Sequence, residues 1–432
     1  MSLPAKTAEQ RLSHQLLPPE ELAAYQLSRF NDLIEQILPE NKFYKRHLRE
    51  FDFPLQSLDD LANLPYTFKD HLIDESGGSG FAANLTFDPN KYCRFHRTSG
   101  TRGRPMTVLD SAEDWEWWIN TWQFVLDSAE LTTDDRVLMA FSFGPFIGFW
   151  SAFDAVAARG ALCIPSGGLT TLARLEMIQS TSSNVLFCTP SYALHMAETA
   201  AENQINVGEL PIDRIVVAGE PGGSVPAIRE SIENQWQARV IDHSGASEVG
   251  PWGFADPEAK GLYINESEFV AEFLSVDHGG TANAGELSEL VLTNLGRFGC
   301  PIIRYRTGDL VRPNWNDDQP CNYVLLEGGV IGRTDDMMIV RGVNIFPSSI
   351  EQILRSFPEV VEYRMTAFKE GQMDQLKIEI EDRLDQPERV ANELQVRLAL
   401  RVEMQCVPLG TLPRFDLKGK RFVDQRTDQI GS

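Results

Sequence analysis

Cysteine is sparse in this chain. Six cysteines (Cys93, Cys163, Cys188, Cys300, Cys321 and Cys406) are scattered over 432 residues, and none forms a CxxC pair. That pattern excludes a disulfide-built scaffold and predicts free thiols in a reducing compartment. A surplus of positive charge is also missing: 39 Lys and Arg face 62 Asp and Glu, for a net charge of −23. Nucleic acid and anionic membrane surfaces reward basic faces, so neither is expected as a partner. No apolar run is long enough to cross a bilayer; the longest, 144–153, meets Asp154 at once. The first thirty residues carry Glu20 and Glu21 and lack an apolar core, so no signal peptide is expected. Repeats and low-complexity tracts are absent. These absences together predict a cytoplasmic enzyme-sized protein.

What is present is a chain long enough for two or three domains, with 42% hydrophobic and 23% charged residues. Residues 1–75 read as helical, because Leu22, Tyr25, Leu27, Phe30, Leu33, Ile34 and Ile37 recur at spacings close to three and four. From 94 to 310 short apolar runs at 136–141, 185–189, 214–218 and 239–242 alternate with helix-like stretches. Such alternation predicts an α/β fold with helix-covered mixed β-sheets, and ligands beyond the strand C-termini. Past residue 335 the pattern changes to a small α+β unit, with strands at 338–341, 360–368, 376–380 and 402–407 and helices at 348–356 and 386–401. The division expected is a large domain over 1–334 and a small one over 335–432.

Five segments carry chemistry. The run Arg97-Thr98-Ser99-Gly100-Thr101-Arg102-Gly103-Arg104-Pro105 has glycines that let backbone N–H groups approach a ligand, with hydroxyls and guanidiniums as donors to phosphate oxygens. It lacks the GK[ST] ending of a Walker A loop. With Arg94 and His96 it forms a basic cluster in an acidic chain. By itself it is also readable as a glycine-rich surface turn. The second segment, Asp242-His243-Ser244-Gly245-Ala246-Ser247-Glu248, follows a strand, and Glu248 is a hard oxygen ligand suited to Mg²⁺ or a solvated loop carboxylate. In the third, Arg304 to Leu310, Asp309 after Gly308 is placed to accept from a ribose diol, or is a turn aspartate. The fourth runs from Gly332 and Arg333 through Asp335 to Arg341-Gly342 and Pro347, and the fifth is Pro413-Arg414-Phe415-Asp416-Leu417-Lys418-Gly419-Lys420.

In order and spacing these segments resemble the adenylate-forming superfamily of acyl-CoA synthetases, adenylation domains and luciferases. The Gly219-Glu220-Pro221 turn, the wording GRTDDMMIVRGVNIFP and the stretch from Asn41 to Lys69 resemble its phenylacetate–CoA ligase-like family. The resemblance implies an AMP-forming acid–thiol ligase that uses ATP and Mg²⁺ to make an acyl-adenylate and then an acyl-CoA. It implies that Thr98, Ser99, Gly100, Thr101, Arg102, Gly103 and Arg104 grip the phosphates, and that Glu248 holds the metal. Gly219, Glu220 and Pro221 would border adenine, together with Asp242, His243, Ser244, Gly245 and Ser247. Asp309 and Arg333 would meet the ribose. Asp335 matches the hinge of the family, Lys418 its adenylation lysine, and Gly342 the pantetheine tunnel. Phe141, Phe143, Gly144 and Phe146 fall where the family lines its acid pocket, and their rings suit an aryl or arylacetic acid.

Three positions depart from the family's wording. Arg102 and Arg104 replace a threonine and a lysine, and Ser244 stands where a stacking tyrosine is usual. With only Cys321 in the region where relatives bind zinc, no zinc is expected. A homodimer is implied by resemblance alone. Two other readings stay open: an adenylating enzyme that loads a carrier protein or an amine, and a non-catalytic nucleotide-binding homologue.

Overall fold

The computed structural model describes residues 7–75, 80–98, 105–315, 320–334, 338–340, 343–345, 347–370, 373–398, 402–413 and 421–426. Its centre is a nine-stranded mixed sheet. The strand order is Pro313–Asn314, Leu325–Glu327, Gly261–Ile264, Gly250–Ala255, Arg239–Ala246, Arg214–Ala218, Val185–Cys188, Arg136–Met139 and Leu162–Pro165. The last five run parallel and the others join antiparallel.

Alternation along the parallel strands sorts their side chains between two cores. Val137, Met139, Val185, Phe187, Val216 and Ile241 face one core, and Leu138, Leu186, Cys188, Ile215, Val217 and Val240 face the other. Both faces are therefore apolar, and both are covered. The helices Ala112–Ser128 and Ile147–Arg159 pack on the first; Thr171–Thr181, Pro190–Glu202 and Pro226–Trp236 pack on the second. This double burial explains why the strands read as continuous apolar runs.

A four-stranded antiparallel sheet (Phe269–Ser275, Ser288–Asn294, Tyr305–Val311, Gly332–Arg333) flanks this layer. The C-terminal segment builds another four-stranded sheet, from Glu403–Cys406, Met373–Asp382, Val360–Glu370 and Phe422–Asp424, with helices Pro347–Arg355 and Pro387–Leu398. Among the described residues its core of Ile350, Leu354, Tyr363, Ile378, Ile380 and Leu394 draws on none before 350.

Two local readings need correction. The strand expected to stop at 242 continues to Ala246, because its end pairs with Gly250–Ala255 in a hairpin, with a register shift between Ser244 and Ala246. Glu248 thus sits in a hairpin turn rather than in a loop entering a helix. Asp309 is in a strand, not a turn. Gly308 has φ +74°, and a Cβ there would come within 3.0 Å of Arg333 Nη2, so glycine keeps the strand continuous beside that guanidinium.

Candidate active site

Glu248 is the best-defined polar centre. Its turn is fixed from behind by Arg297, which is fully buried and donates from Nη1 to the carbonyls of Ser247 (3.0 Å) and Glu248 (3.1 Å). The same guanidinium binds Asp110 at 2.7 Å, which ties the turn to the strand Thr107–Asp110. Asn294 Nδ2 donates to the carbonyl of Val249 at 2.9 Å. Three successive carbonyls are thereby satisfied without water, leaving the Glu248 side chain to face forward.

Two donors meet that carboxylate on one oxygen. Lys69 Nζ lies 3.0 Å from Oε1, and the Tyr305 hydroxyl donates to it at 2.9 Å. They converge because Thr67 and Tyr305 form an isolated parallel bridge: the Thr67 amide donates to Arg304 O and the Arg306 amide to Thr67 O. Lys69 then opens the short helix Lys69–Asp74. Burial raises the cost of charge on Glu248, but the Lys69 ammonium and the hydrogen bonds outweigh it, and the carboxyl sits below its ordinary pKa. Burial and the facing carboxylate push Tyr305 far upward, so it remains a neutral donor. Sequence reasoning missed Lys69 as a site residue, since its partner lies 179 positions away.

Among the described residues no group of three or more His, Cys, Asp or Glu could hold a metal ion. A lone ionised carboxylate does fit Mg²⁺, which keeps several waters and is bound through one or two carboxylates plus substrate phosphates.

Thr98 closes the neck of the glycine-rich run. Its amide donates to Met106 O and its Oγ1 accepts from the Met106 amide, both at 2.9 Å. The Arg97 amide donates to Pro145 O at 2.7 Å and fastens this neck to the stretch after 141. Ser99, Gly100, Thr101, Arg102, Gly103 and Arg104 lie outside the described residues, as do Asp335, Gly342 and Lys418.

Asp309 and Arg333 are brought together. They are cross-strand partners, and Arg333 donates from Nη1 to Asp309 Oδ1 at 2.6 Å and from Nη2 to Thr307 O at 3.0 Å. The Gly219–Pro221 turn is pinned where Glu220 Oε1 accepts from the Ser191 amide at 2.8 Å. A cavity of about 240 Å³ opens beside it, lined by Pro221, Ser224, Gly328 and Ile331 and closed by Ser349 and Glu351 of the C-terminal segment. Asp242 is held by the Ser224 hydroxyl (2.5 Å) and the His243 amide (3.0 Å); burial raises its pKa to about 6.

A second cavity, about 110 Å³, lies against the sheet, lined by Trp118, Trp122, Phe141, Phe149, Phe187 and His243 among others. Of the four residues expected to line an acid pocket, Phe141 lines this cavity. Phe143 instead packs edge-on against Trp150 (5.1 Å between ring centroids) and Phe153 (5.7 Å). Phe146 packs on Phe149 at 6.2 Å, and Gly144 lies under the Phe146 ring. The strand ends earlier than the aromatic run suggests, at Met139, so the following residues turn across the rim. The tryptophans were missed because they belong to Ala112–Ser128, a helix whose wall-forming face is defined only by packing. His243, expected on the nucleotide side, packs on Trp122 at 4.1 Å and lines this cavity.

Residues 342–426 match the model of the AMP-binding enzyme C-terminal domain. A phenylacetate-coenzyme A ligase of Thermus thermophilus is 28% identical, covering 95% of this chain and 98% of the relative. One from Escherichia coli is 28% identical over 94% of this chain and 95% of the relative. The chain is thus similar over nearly its whole length to phenylacetate–CoA ligases. Among solved structures, a 2-hydroxyisobutyryl-CoA ligase in its postadenylation state with 2-HIB-AMP superposes with TM-score 0.89, at 23% identity over 98% of this chain and 94% of that one. The same enzyme with 2-HIB-AMP and CoA in the thioesterification state gives 0.72, at 25% identity over 99% and 94%. No helix among the described residues is long and apolar enough to cross a membrane.

Proposed function

We propose that this chain activates a small aromatic carboxylic acid with ATP, releasing pyrophosphate, and passes the acyl group from AMP to CoA. The observation that carries this reading is the convergence of Lys69, Tyr305 and the ionised Glu248 at one turn, between the neck of the glycine-rich run and the aromatic cavity.

In the first half-reaction the acid's carboxylate attacks the α-phosphorus, the bond to the bridging oxygen breaks, and pyrophosphate leaves. In the second, the thiol of CoA attacks the acyl carbon, loses its proton and displaces AMP. The protein's work is positioning and charge complementarity. Lys69 brings positive charge to the reacting end, and Tyr305 fixes the Glu248 rotamer by donating to the same oxygen. Glu248 would hold Mg²⁺, whose bound charge offsets that of the phosphates. Asp309 and Arg333, already paired, take the ribose side, while Gly219, Glu220 and Pro221 form the adenine edge. The glycine-rich run from Ser99 to Arg104 supplies phosphate donors, Lys418 the ammonium of adenylation, and Gly342 the route for the thiol. Asp335 is the hinge between the units 1–334 and 335–432. Acid-dependent exchange of labelled pyrophosphate into ATP tests the first half-reaction, and conversion of preformed acyl-adenylate with CoA against a carrier protein tests the second. Loading of the carrier protein with CoA inert would reject the CoA reading.

A further inference from the structure

The wall of the aromatic cavity carries a histidine, His243, with one ring nitrogen that has no hydrogen-bond partner among the described residues. His243 is 6% exposed, and its Nδ1 lies 2.7 Å from the carbonyl oxygen of Gly253. A carbonyl only accepts, so Nδ1 carries the proton. Burial holds the ring neutral down to a pKa of about 4. At neutral pH Nε2 is therefore a bare lone pair. The other ring nitrogens of the wall are satisfied: Trp118 donates to Asp110 at 3.2 Å and Trp122 to Ser151 at 2.8 Å. His243 Nε2 has no partner among the described residues, yet the imidazole lines the cavity with Trp122 and Phe187.

A ligand that fills the cavity and covers this acceptor without offering it a donor loses about 1–3 kcal/mol. Around it the walls are Trp118, Trp122, Phe141, Phe149 and Phe187, and Phe141 and Phe149 stack at 4.2 Å and close one side. A volume of about 110 Å³ is of the same order as the ~150 Å³ of an apolar cavity that takes up benzene, so it suits a single ring. Flat aromatic walls select that ring, and the lone pair selects what the ring carries.

The geometry points to a monocyclic aromatic acid bearing a hydroxyl or amino donor on its ring, which donates to His243 Nε2. This specificity rests on the adenylation reading above and sharpens it to a substrate class. A site built around a buried acceptor discriminates strongly against an analogue that leaves it unpaired.

The test is pyrophosphate exchange by the full-length chain with benzoate, phenylacetate, their positional hydroxy and amino derivatives, and the fluoro and methoxy counterparts that lack the donor. One donor-bearing isomer is expected to exceed its fluoro counterpart by about 10- to 100-fold in kcat/KM. In His243→Phe that ratio falls to within about threefold, since the ring remains and the acceptor is gone. Equal turnover of donor-bearing and donor-free acids by the unaltered chain overturns this inference and leaves adenylation standing. Failure of every acid overturns the adenylation reading itself. A ratio unchanged in folded His243→Phe assigns the preference elsewhere and also overturns the inference. If that variant does not fold, the hydroxy-against-fluoro comparison in the unaltered chain decides it.

Discussion

Replacing Lys69 by methionine removes the ammonium from Glu248 while keeping the length of the side chain. The two charges lie 3.0 Å apart, with side chains 31% and 11% exposed. At an effective dielectric of about 20, that separation gives a gross attraction of about 5 kcal/mol. Desolvation of both ions and screening at the part-exposed lysine offset most of it. A net loss of about 1–3 kcal/mol remains, and the Tyr305 hydroxyl still donates to the same oxygen. The sign of its pH dependence follows from Glu248, whose folded pKa is depressed. Such a carboxylate contributes stability that is present above its unfolded pKa and fades as pH falls through the folded value. Denaturant unfolding of the two proteins should therefore differ by about 1–3 kcal/mol at pH 7.5, with the gap closing as pH falls below 4.5. A gap that is the same at both pH values would show that Lys69 stabilises by packing of its stem, not by pairing. Acid activation in Lys69→Met should fall by at least tenfold, read by initial rates at saturating ATP.

Four further outcomes can be measured. Arg297→Met strands Asp110 without its counterion and releases the carbonyls of Ser247 and Glu248; breaking such a buried pair costs about 3–5 kcal/mol in chemical denaturation. Arg333→Gln removes the donor to Asp309 and Thr307 O, and should raise the KM for ATP several-fold with a smaller effect on kcat. Asp242→Asn should stabilise the protein at pH 7.5 by up to about 3 kcal/mol, because a carboxyl whose pKa is raised to about 6 opposes folding once pH exceeds its unfolded value. That gain should vanish near pH 3.5, and a constant gain would contradict the assignment. Phe149→Ala widens the cavity at a cost below the roughly 3–5 kcal/mol of a fully buried phenylalanine, since Phe149 is only partly buried, and should shift the preferred acids toward larger ones in pyrophosphate exchange.

Much of the fold was legible because parallel strands buried on both faces leave continuous apolar runs, as at 185–188 and 214–218. Glu248, Asp309 and the Gly219–Pro221 turn stood out as candidates because each is embedded in a local wording. What stayed hidden was long-range. The partner of Lys69 is set by the bridge between Thr67 and Tyr305, and the back of the Glu248 turn by Arg297 and Asn294. The lining of the aromatic cavity was hidden for a similar reason: aromatic density marked 141–150, but only packing decides which rings face inward. Phe149 does; Phe143 and Phe146 pack elsewhere along the rim. His243 was assigned to the nucleotide side on family resemblance alone. Continuation of its strand to Ala246 turns the imidazole toward Trp122.

Acid-dependent exchange of labelled pyrophosphate into ATP, run across a panel of aromatic acids and followed by addition of CoA, bears most directly on the whole account. The expected result is exchange that requires both acid and Mg²⁺, then AMP and acyl-CoA in equal amounts once CoA is added. Folded protein that supports no exchange with any acid would contradict it.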